Sequence, residues 1–333
     1  MVRQINPGLA RLYQANLGRQ YGYQNTQTSI DSLTAGQLRA LDFLEQGVAD
    51  QQINLLPKMA NAEPSEIENL ISRLGGILRT TTSFFPELNE LEVQSRFSEI
   101  LRLYASSELD PAQAMKTRKK ARVFVNTMAP IGLTMARGLA AAGVGMILTD
   151  DQSRIHHSDL GALGFSIHEL GEPRAARAKA LLSEVASVQQ HNRLTASYDR
   201  VDLAILCTTD VLNPKISQRW LSRDIPHLLV RFDEMGVEIS HLVLPGITPC
   251  LNCVELSRLN TDDSWRLVAT QLDYLERDLG DATSILFASS IALSRTLKRI
   301  DMLMTPQPQT SVRLDFGKSV SEREILHEPC GCR

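Results

Sequence analysis

The spacing of apolar residues over the first 80 positions predicts a small α+β domain. Apolar and aromatic residues set among Gly and Asn between positions 11 and 30 indicate a β-hairpin. Three helical stretches follow, at about 34–48, 53–60 and 64–74. The first is opened by a capping box at Thr34-Ala-Gly-Gln37, and the third has Pro64 at its start. A short apolar return at Ile77-Leu78 completes the pattern of a winged helix, so we assign residues 1–80 to a winged-helix-like domain.

Residues 81–118 read as a helical connector, with one helix expected over 92–105. The connector ends in a basic run, Lys116-Thr-Arg-Lys-Lys-Ala-Arg122, which leads directly into an apolar segment. That position favours a solvated entry to a sheet over a phosphate-binding patch.

From residue 119 onward, short apolar runs alternate with amphipathic stretches. Strands are predicted at about 123–125, 146–148, 203–206, 228–230, 237–244 and 311–316. Helices are predicted at about 131–142, 173–188, 264–279 and 281–304. Strand-helix-strand units of this length predict a Rossmann-like α/β domain over 119–333, with a doubly wound, mostly parallel sheet.

Composition excludes several classes of protein. The chain has 333 residues, enough for two domains, and its formal net charge of -3 gives no general attraction to nucleic acid. No run of about 18 apolar residues indicates a membrane helix, and the N-terminus lacks the apolar core of a signal peptide. We therefore expect a cytoplasmic protein that binds neither nucleic acid nor membranes. In a reducing compartment, cysteines more often serve metals or chemistry than disulfides.

Two close pairs of cysteines are the most specific feature of the sequence. Cys250 and Cys253 form a C-x-x-C pair, and Cys330 and Cys332 form a C-x-C pair near the C-terminus. Four thiolates are what a closed, tetrahedral structural zinc site takes, so zinc is expected here. The alternative is that the four are unrelated. The fifth cysteine, Cys207, ends an apolar run and is expected to be a small core residue.

Several further segments occur in a recognisable order. They are Val123-Phe-Val-Asn-Thr-Met-Ala-Pro-Ile-Gly132, Gly143-Val-Gly145 with Asp151, Leu170-Gly-Glu-Pro-Arg174, Cys207-Thr-Thr-Asp210 and Thr248-Pro-Cys-Leu-Asn-Cys253. Over about 119–255 this order resembles the ThiF/MoeB-type, ubiquitin-activating-enzyme-like superfamily. The ending Cys-Gly-Cys and the helical N-terminal unit resemble the subgroup fused to a leader-peptide-recognition domain in azole-forming peptide biosynthesis. The resemblance implies a precursor peptide, a YcaO-type partner enzyme and a homodimer.

Departures from the superfamily pattern fall on the nucleotide loop. Adenylating members present G-x-G-G-x-G, whereas this chain has Thr127, Ala129 and Pro130 and retains only Gly132. Glycines there let backbone N–H groups approach a phosphate; side chains crowd that approach, and proline removes a donor. ATP and magnesium are therefore not expected to bind as they do in active members.

The resemblance also assigns roles to three charged positions. Asp151 (or Asp150 beside it) aligns with the acid that holds the ribose of ATP, and Arg174 stands where a phosphate-contacting lysine is usual. Thr209 occupies the position of a magnesium-binding aspartate, with Asp210 one place further on. Each has a structural alternative, as a loop cap or a solvated residue. No cysteine lies between Cys253 and Cys330 to act as a thioester nucleophile, and no catalytic residue is assigned.

Three functions remain open at this point. The first is a non-catalytic protein whose N-terminal unit binds a precursor peptide while its ThiF-like unit docks an ATP-using enzyme. The second is an active adenylating enzyme that has replaced the glycine loop. The third, a flavin- or NAD-dependent oxidoreductase, is disfavoured because G-x-G-x-x-G is missing. In the first, the peptide surface is expected where the hairpin edge meets the third helix, near Gly18-Arg-Gln-Tyr-Gly-Tyr23, although these tyrosines have core packing as an alternative role.

Overall fold

The computed structural model describes residues 1–15, 17–24, 28–81, 85, 87–106, 110–190, 201–275, 277–302, 309–317, 320–326 and 330–332. The chain forms two compact units, Met1–Thr117 and Arg118–Arg333. Among the described residues, no helix combines the length and apolarity needed to cross a membrane.

The first unit combines short antiparallel sheets with helices. Its strands are β1 (Val2–Ile5), β2 (Arg11–Gln14), β3 (Gly18–Tyr21), β4 (Thr28–Ile30), β5 (Val48–Ala49) and β6 (Leu78–Thr81). Its helices are α1 (Ala35–Gln46), α2 (Leu56–Ala60), α3 (Pro64–Leu74), α4 (Glu90–Ser95) and α5 (Phe97–Ala105), and α6 (Pro111–Lys120) continues to the second unit. The strands pair in two sheets with the orders β5-β1-β6 and β2-β3-β4. This arrangement confirms the predicted small α+β domain.

Local signals in the sequence account for the helices of this unit. Thr34 and Gln37 form the predicted capping box at the start of α1, and Pro64 is the first residue of α3. The buried face of α3 carries Ile67, Leu70 and Leu74 into the core of the unit. The single helix predicted over 92–105 is instead two helices, α4 and α5, separated at Arg96.

The second unit is built on one sheet of eight strands. Its strands are β7 (Arg122–Val125), β8 (Met146–Thr149), β9 (Ser187–Gln190), β10 (Leu203–Thr209), β11 (His227–Asp233), β12 (Gly236–Ile239), β13 (Thr310–Asp315) and β14 (Val320–Glu324). Its helices are α7 (Pro130–Ala141), α8 (Arg174–Leu182), α9 (Pro214–Leu221), α10 (Leu251–Leu259), α11 (Trp265–Leu272) and α12 (Ala282–Ile300). The order is β14-β13-β12-β11-β10-β7-β8-β9, in which the five strands from β11 to β9 are parallel.

This sheet confirms the predicted doubly wound α/β fold. The chain moves outward from β7 through β8 to β9, then returns to the other side of β7 with β10. The switch point therefore lies between β7 and β10, where open α/β sheets form a crevice at the carboxyl ends of their strands.

Some boundaries differ from the sequence-based prediction. The helix expected over 173–188 ends at Leu182, and its last residues belong to β9. The helix expected over 264–279 is limited to α11, while α6, α9, α10 and β14 were not predicted. The basic run before β7 is the last turn of α6, and Arg118 within it is buried in a two-bond ion pair with Asp301, at 2.8 and 2.7 Å.

His227, at the start of β11, is a fully buried titratable side chain in this unit. Its ring Nδ1 lies 2.9 Å from the carbonyl oxygen of Ile225, and Nε2 has no hydrogen-bond partner among the described residues. Burial lowers the pKa of His227 to about 4, from an ordinary value of about 6.5. The folded protein therefore holds this imidazole in its neutral form.

The buried neutral imidazole makes stability depend on pH. The pKa of His227 is lower in the folded state than in the unfolded state. The neutral imidazole therefore makes its full contribution to the free energy of unfolding above about pH 6.5, and this contribution is lost as the pH falls toward 4. This shift in pKa corresponds to about 3 kcal/mol of unfolding free energy. We expect His227→Asn, whose amide can still donate to the Ile225 carbonyl, to flatten this part of the curve of unfolding free energy against pH. The matched variant of an exposed histidine, His168→Asn, should leave the curve unchanged, and equal slopes in the two variants would contradict the assignment.

Candidate functional site

The crevice at the switch point is bridged by Asn126, the first residue after β7. Its side-chain Nδ2 donates to the carbonyl oxygen of Cys207 at 2.9 Å, and the Cys207 N–H donates to its Oδ1 at 2.7 Å. The asparagine amide thus ties the carboxyl ends of β7 and β10 together in the manner of a strand. Sequence analysis did not single it out, although a polar amide directly after a buried strand is a usable signal.

Gly132 is required by backbone packing. A Cβ atom at this position would lie 1.7 Å from the carbonyl oxygen of Thr127, which no backbone contact permits. Pro130 is the first residue of α7, a position where its missing N–H costs the helix nothing. The structure therefore explains why this glycine is kept in the loop, independently of any ligand.

The carboxylate of Asp151, which follows β8, accepts hydrogen bonds from the loop after β7. Its Oδ2 accepts the N–H of Met128 at 2.7 Å and the hydroxyl of Thr127 at 3.3 Å. Its Oδ1 accepts the N–H of Ser153 at 2.8 Å. The Thr127 hydroxyl in turn accepts the N–H of Ala129 at 3.1 Å. Two loop N–H groups at the position of the superfamily's phosphate cradle thus already have side-chain acceptors.

Arg174, at the start of α8, is held between two aspartates. Its Nε donates to Asp159 at 2.7 Å, and its Nη1 lies 3.9 Å from Asp151. The Asp159 side chain is completely buried, and its second oxygen has no hydrogen-bond partner among the described residues. The guanidinium thus neutralises a buried carboxylate of the protein itself.

Asp210 lies after β10 and is engaged by Arg277. The guanidinium forms two bonds with the carboxylate, at 2.9 and 2.5 Å. Asp210 has a φ of +62°, and its N–H donates to the carbonyl oxygen of Phe232 at 2.7 Å. The hydrogen bond to Asp210 raises the pKa of Arg277 further above its ordinary range. Arg277 was missed by sequence analysis because nothing local marks a partner 67 positions away.

The structure brings most of the predicted nucleotide-site residues together. Thr127, Ala129, Asp151 and Arg174 form one connected network, and Gly132 packs against its backbone. Asp210 belongs to a second ion pair at the same edge of the sheet. A role for these six residues in binding a nucleotide stays a prediction.

The four predicted cysteine ligands converge on one point. Cys250 is the N-cap of α10, Cys253 lies in its first turn, and both are buried, whereas Cys330 and Cys332 are half-buried. The distances between sulfur atoms are 3.9, 3.6, 3.3 and 3.6 Å for the pairs 250–253, 250–330, 253–330 and 253–332. Sulfurs around one tetrahedral ion with 2.3 Å bonds are about 3.8 Å apart. These distances exceed the roughly 2 Å of a disulfide. The cluster has the geometry to hold one metal ion.

The thiols of the cluster differ in the direction of their pKa shifts. Burial raises the pKa of Cys250 to about 11. Burial also opposes the ionisation of Cys332, but hydrogen bonds from Cys330 and from the backbone at Cys250 lower its pKa to about 6. The α10 N-terminus favours negative charge on these sulfurs. Burial also raises the pKa of Cys330, so among these three thiols the hydrogen bonds favour the thiolate form at Cys332.

Comparisons with known proteins support the fold. No family model matches the chain. Protein HesA from Nostoc sp. is 28% identical over 156 residues, which cover 42% of this chain and 60% of HesA. The heterocyst HesA of Trichormus variabilis is also 28% identical over 156 residues, with 57% of its length covered. The match thus spans no more than about three fifths of these curated relatives.

Solved structures match over nearly the whole chain. Escherichia coli MccB with ATP is 15% identical, with a TM-score of 0.70 over 99% of this chain and 98% of its own. MccB with AMPCPP and MccA is 15% identical, with a TM-score of 0.71 over 100% and 99%. PaaA is 15% identical, with a TM-score of 0.70 over 96% and 98%. The fold is of the ThiF/MoeB type. At this level of identity the similarity shows the fold alone. In this chain, the crevice network and the cysteine cluster both lie in the unit that has the ThiF-type fold.

Proposed function

We propose that this ThiF-type protein binds a precursor (leader) peptide with its N-terminal unit and docks a separate ATP-using enzyme. A YcaO-type enzyme in the biosynthesis of a modified peptide is the partner that the sequence resemblance implies, and a homodimer stays a prediction. The observation that carries the non-catalytic part is the Asp151 carboxylate bound to the loop N–H of Met128. The peptide part is supported by MccB, which has been solved with the MccA peptide and aligns along this whole chain.

A nucleotide would have to break interactions that the folded protein already makes. Its phosphates need loop N–H groups and cations, but Asp151 and Thr127 accept the loop N–H groups of Met128 and Ala129. Releasing Arg174 to a phosphate would leave the buried Asp159 without its cation. Removing one partner of a buried ion pair costs about 3–5 kcal/mol. The existing bonds of Met128, Ala129 and Arg174 therefore oppose the binding of a nucleotide.

The competing function is ATP-dependent adenylation of a peptide or carrier C-terminus. The observation that favours it is that MccB, with the same fold, has been solved with ATP and with AMPCPP. In that case Asp151 would release the Met128 N–H and bind the ribose, while Arg174 and Asp210 would leave their present partners. Nucleotide binding separates the two functions.

We expect the purified protein to show weak or no binding of millimolar ATP with magnesium in calorimetry, and no exchange of pyrophosphate into ATP. E. coli MccB, measured with MccA under the same conditions, is the positive control. Micromolar affinity for ATP that disappears in Asp151→Ala would overturn the non-catalytic function and establish the adenylating one.

Among the described strands, β4 lies at the edge of the β2-β3-β4 sheet, and this edge is the best candidate for peptide binding in the first unit. The Gly22 N–H donates to the carbonyl oxygen of Ala10 at 2.9 Å. Because hydrogen-bonded and non-hydrogen-bonded pairs alternate along antiparallel strands, the N–H and C=O of Gln20 also point toward β2. The N–H and C=O of Ser29, which lies opposite Gln20 on β4, therefore point away from β3. Next to this edge, Arg73 of α3 donates to the Asp31 carbonyl and carboxylate at 3.0 and 3.2 Å. An extended peptide can therefore add to β4 as a further strand alongside α3.

Tyr21 and Tyr23 of the hairpin have different surroundings. Tyr21 is fully buried, and its hydroxyl donates to Glu45 at 2.7 Å, so it serves the core. Tyr23 is 67% exposed and is available to a ligand. The two roles considered from the sequence are thus divided between these residues.

Ser29→Pro removes the outward N–H of β4 and should weaken binding of the precursor peptide encoded beside the gene by about tenfold, measured by fluorescence polarisation. Tyr13→Pro removes an outward N–H from β2, the opposite edge of the same sheet, and should change the affinity by less than about twofold.

Met1–Thr117 alone should bind the peptide, and Arg118–Arg333 should not. Full affinity in the second fragment would show that the first unit is not the recognition module.

We further propose that the metal held by the four cysteines is zinc. Four protein sulfurs leave no open coordination position, so the ion is structural, fixing residues 330–332 to the start of α10.

Elemental analysis of protein purified without chelators should give about one zinc per chain. Cys330→Ser should lose the metal and lower the thermal midpoint, because metal binding adds to folding free energy. Cys207→Ala, at the cysteine outside the cluster, should keep the metal, and wild-type protein free of zinc would rule out this assignment.

A further inference from the structure

A second concavity lies in the α/β unit, outside the nucleotide crevice. It holds about 600 Å³ and lies between α7, the loop after β8 and α8. Its principal lining residues are Arg137, Leu160, Ala162, Phe165, Ile167 and Leu181. This volume is within the range of about 300–1,000 Å³ typical of small-molecule sites. We call this concavity the α7–α8 groove.

Small residues form part of the lining of the α7–α8 groove. A Cβ atom at Gly164 would lie 1.8 Å from the carbonyl oxygen of Asp159, so this position admits glycine alone. Gly161 has a φ of +135°, and Ala162 beside it presents only a methyl group. Ile167 and Leu181 are 59% and 45% exposed. The groove therefore presents accessible aliphatic surface beside its polar lining residues.

Arg137 supplies the positive charge of the groove. Its Nη1 and Nη2 donate to the carbonyl oxygens of Leu163 and Gly164 at 3.4 and 3.3 Å, which are long for hydrogen bonds. Among the described residues it forms no ion pair. Glu169, the acid in the lining, is already bound by Arg177 Nε at 2.7 Å and by the Ser166 N–H at 2.7 Å. The guanidinium thus retains donors for an anion, and a carboxylate matches its planar fork.

From this geometry we infer that the α7–α8 groove binds an apolar chain ending in a carboxylate. The carboxylate pairs with Arg137, and the chain lies over Phe165 between Ile167 and Leu181. Two sources share this chemistry: a free medium-chain fatty acid, and a peptide C-terminus whose last side chains are apolar. The inference does not depend on the proposed function, because no residue of the groove belongs to the β4 edge or to the crevice network.

The test uses the full-length protein, with sodium decanoate and 1-decanol as the first pair of probes, followed by ligand-observed NMR and calorimetry. Decanoate should bind with a dissociation constant of about 1 mM or lower, and decanol at least about tenfold more weakly. Arg137→Gln should weaken decanoate binding by about tenfold, whereas Arg137→Lys, which keeps the charge but not the planar fork, should weaken it by less. Arg266→Gln, an exposed arginine on α11, is the matched control and should have no effect.

Blocking the groove tests its location. Ala162→Trp should abolish decanoate binding, while Ala176→Trp, on the exposed side of α8, should not. Each variant is compared by circular dichroism and thermal midpoint, and Arg137→Gln provides the answer if Ala162→Trp does not fold. The inference is wrong if decanol binds as well as decanoate, if both tryptophan variants behave alike, or if decanoate does not bind. A dimer that Ala162→Trp dissociates would assign the groove to a second copy of the chain and also overturn it.

The two sources are separated by a second pair of probes, Ac-Ala-Leu-Leu with a free C-terminus and the same peptide as its C-terminal amide. Tighter binding of the free peptide than of decanoate, lost on amidation, identifies a peptide C-terminus. Binding of decanoate without the peptide identifies a fatty acid. Either result supports the carboxylate site.

Discussion

The bond between the Asp151 carboxylate and the Met128 N–H organises the carboxyl edge of the large sheet. Parallel pairing of β7 and β8 brings the loop after one strand beside the end of the other. A buried carboxylate there supplies the negative charge that loop N–H groups attract. Thr127 completes the arrangement, because its hydroxyl both donates to Asp151 and accepts the Ala129 N–H. A glycine at this position has no such hydroxyl. The residue that crowds a phosphate is thus also the one that satisfies the loop without it.

The requirements of the fold and those of a phosphate ligand are separable at this loop. Gly132 is indispensable to the fold, since any side chain would meet the Thr127 carbonyl. The other glycine positions of the superfamily pattern serve the approach of a ligand, and here they accommodate Thr127, Ala129 and Pro130. Pro130 even suits the helix, because its fixed φ is appropriate to a first turn. Threonine, alanine and proline at these three positions are therefore compatible with the ThiF-type fold.

The parts of the structure that were predicted correctly have local causes. The capping box at Thr34, the proline that begins α3 and the alternation around β7 and β8 are each visible within a few residues. The cysteine cluster was also predicted, since two short spacings suffice to suggest four ligands. The misassigned strand β9 shows the limit. The helix predicted over 173–188 included its first two residues, Ser187 and Val188, and only pairing with β8 selects the strand.

Long-range partners were beyond the sequence. Arg277 reaches Asp210 and Arg118 reaches Asp301 only because the sheet and its helices place distant segments together. Asn126 is similar, since its amide becomes meaningful only when β10 lies beside β7. The sequence therefore did not reveal these pairings, and the ligand roles of the candidate-site residues stay predictions. The missing pairings matter most for function, because they decide whether a charged side chain is available to a ligand.

The cysteine cluster and the crevice place different demands on the same unit. The cluster belongs to the apolar layer formed with Phe124 and Trp220, where four sulfurs enclose one point. An ion bound there has no vacant position for substrate or water and contributes rigidity to α10 and the residues that close the cluster. The crevice network instead consists of ion pairs and hydrogen bonds that a competing ligand can exchange. At the carboxyl edge, the cost of exchanging partners is set by the buried Asp159, whose ion pair with Arg174 a ligand would have to break.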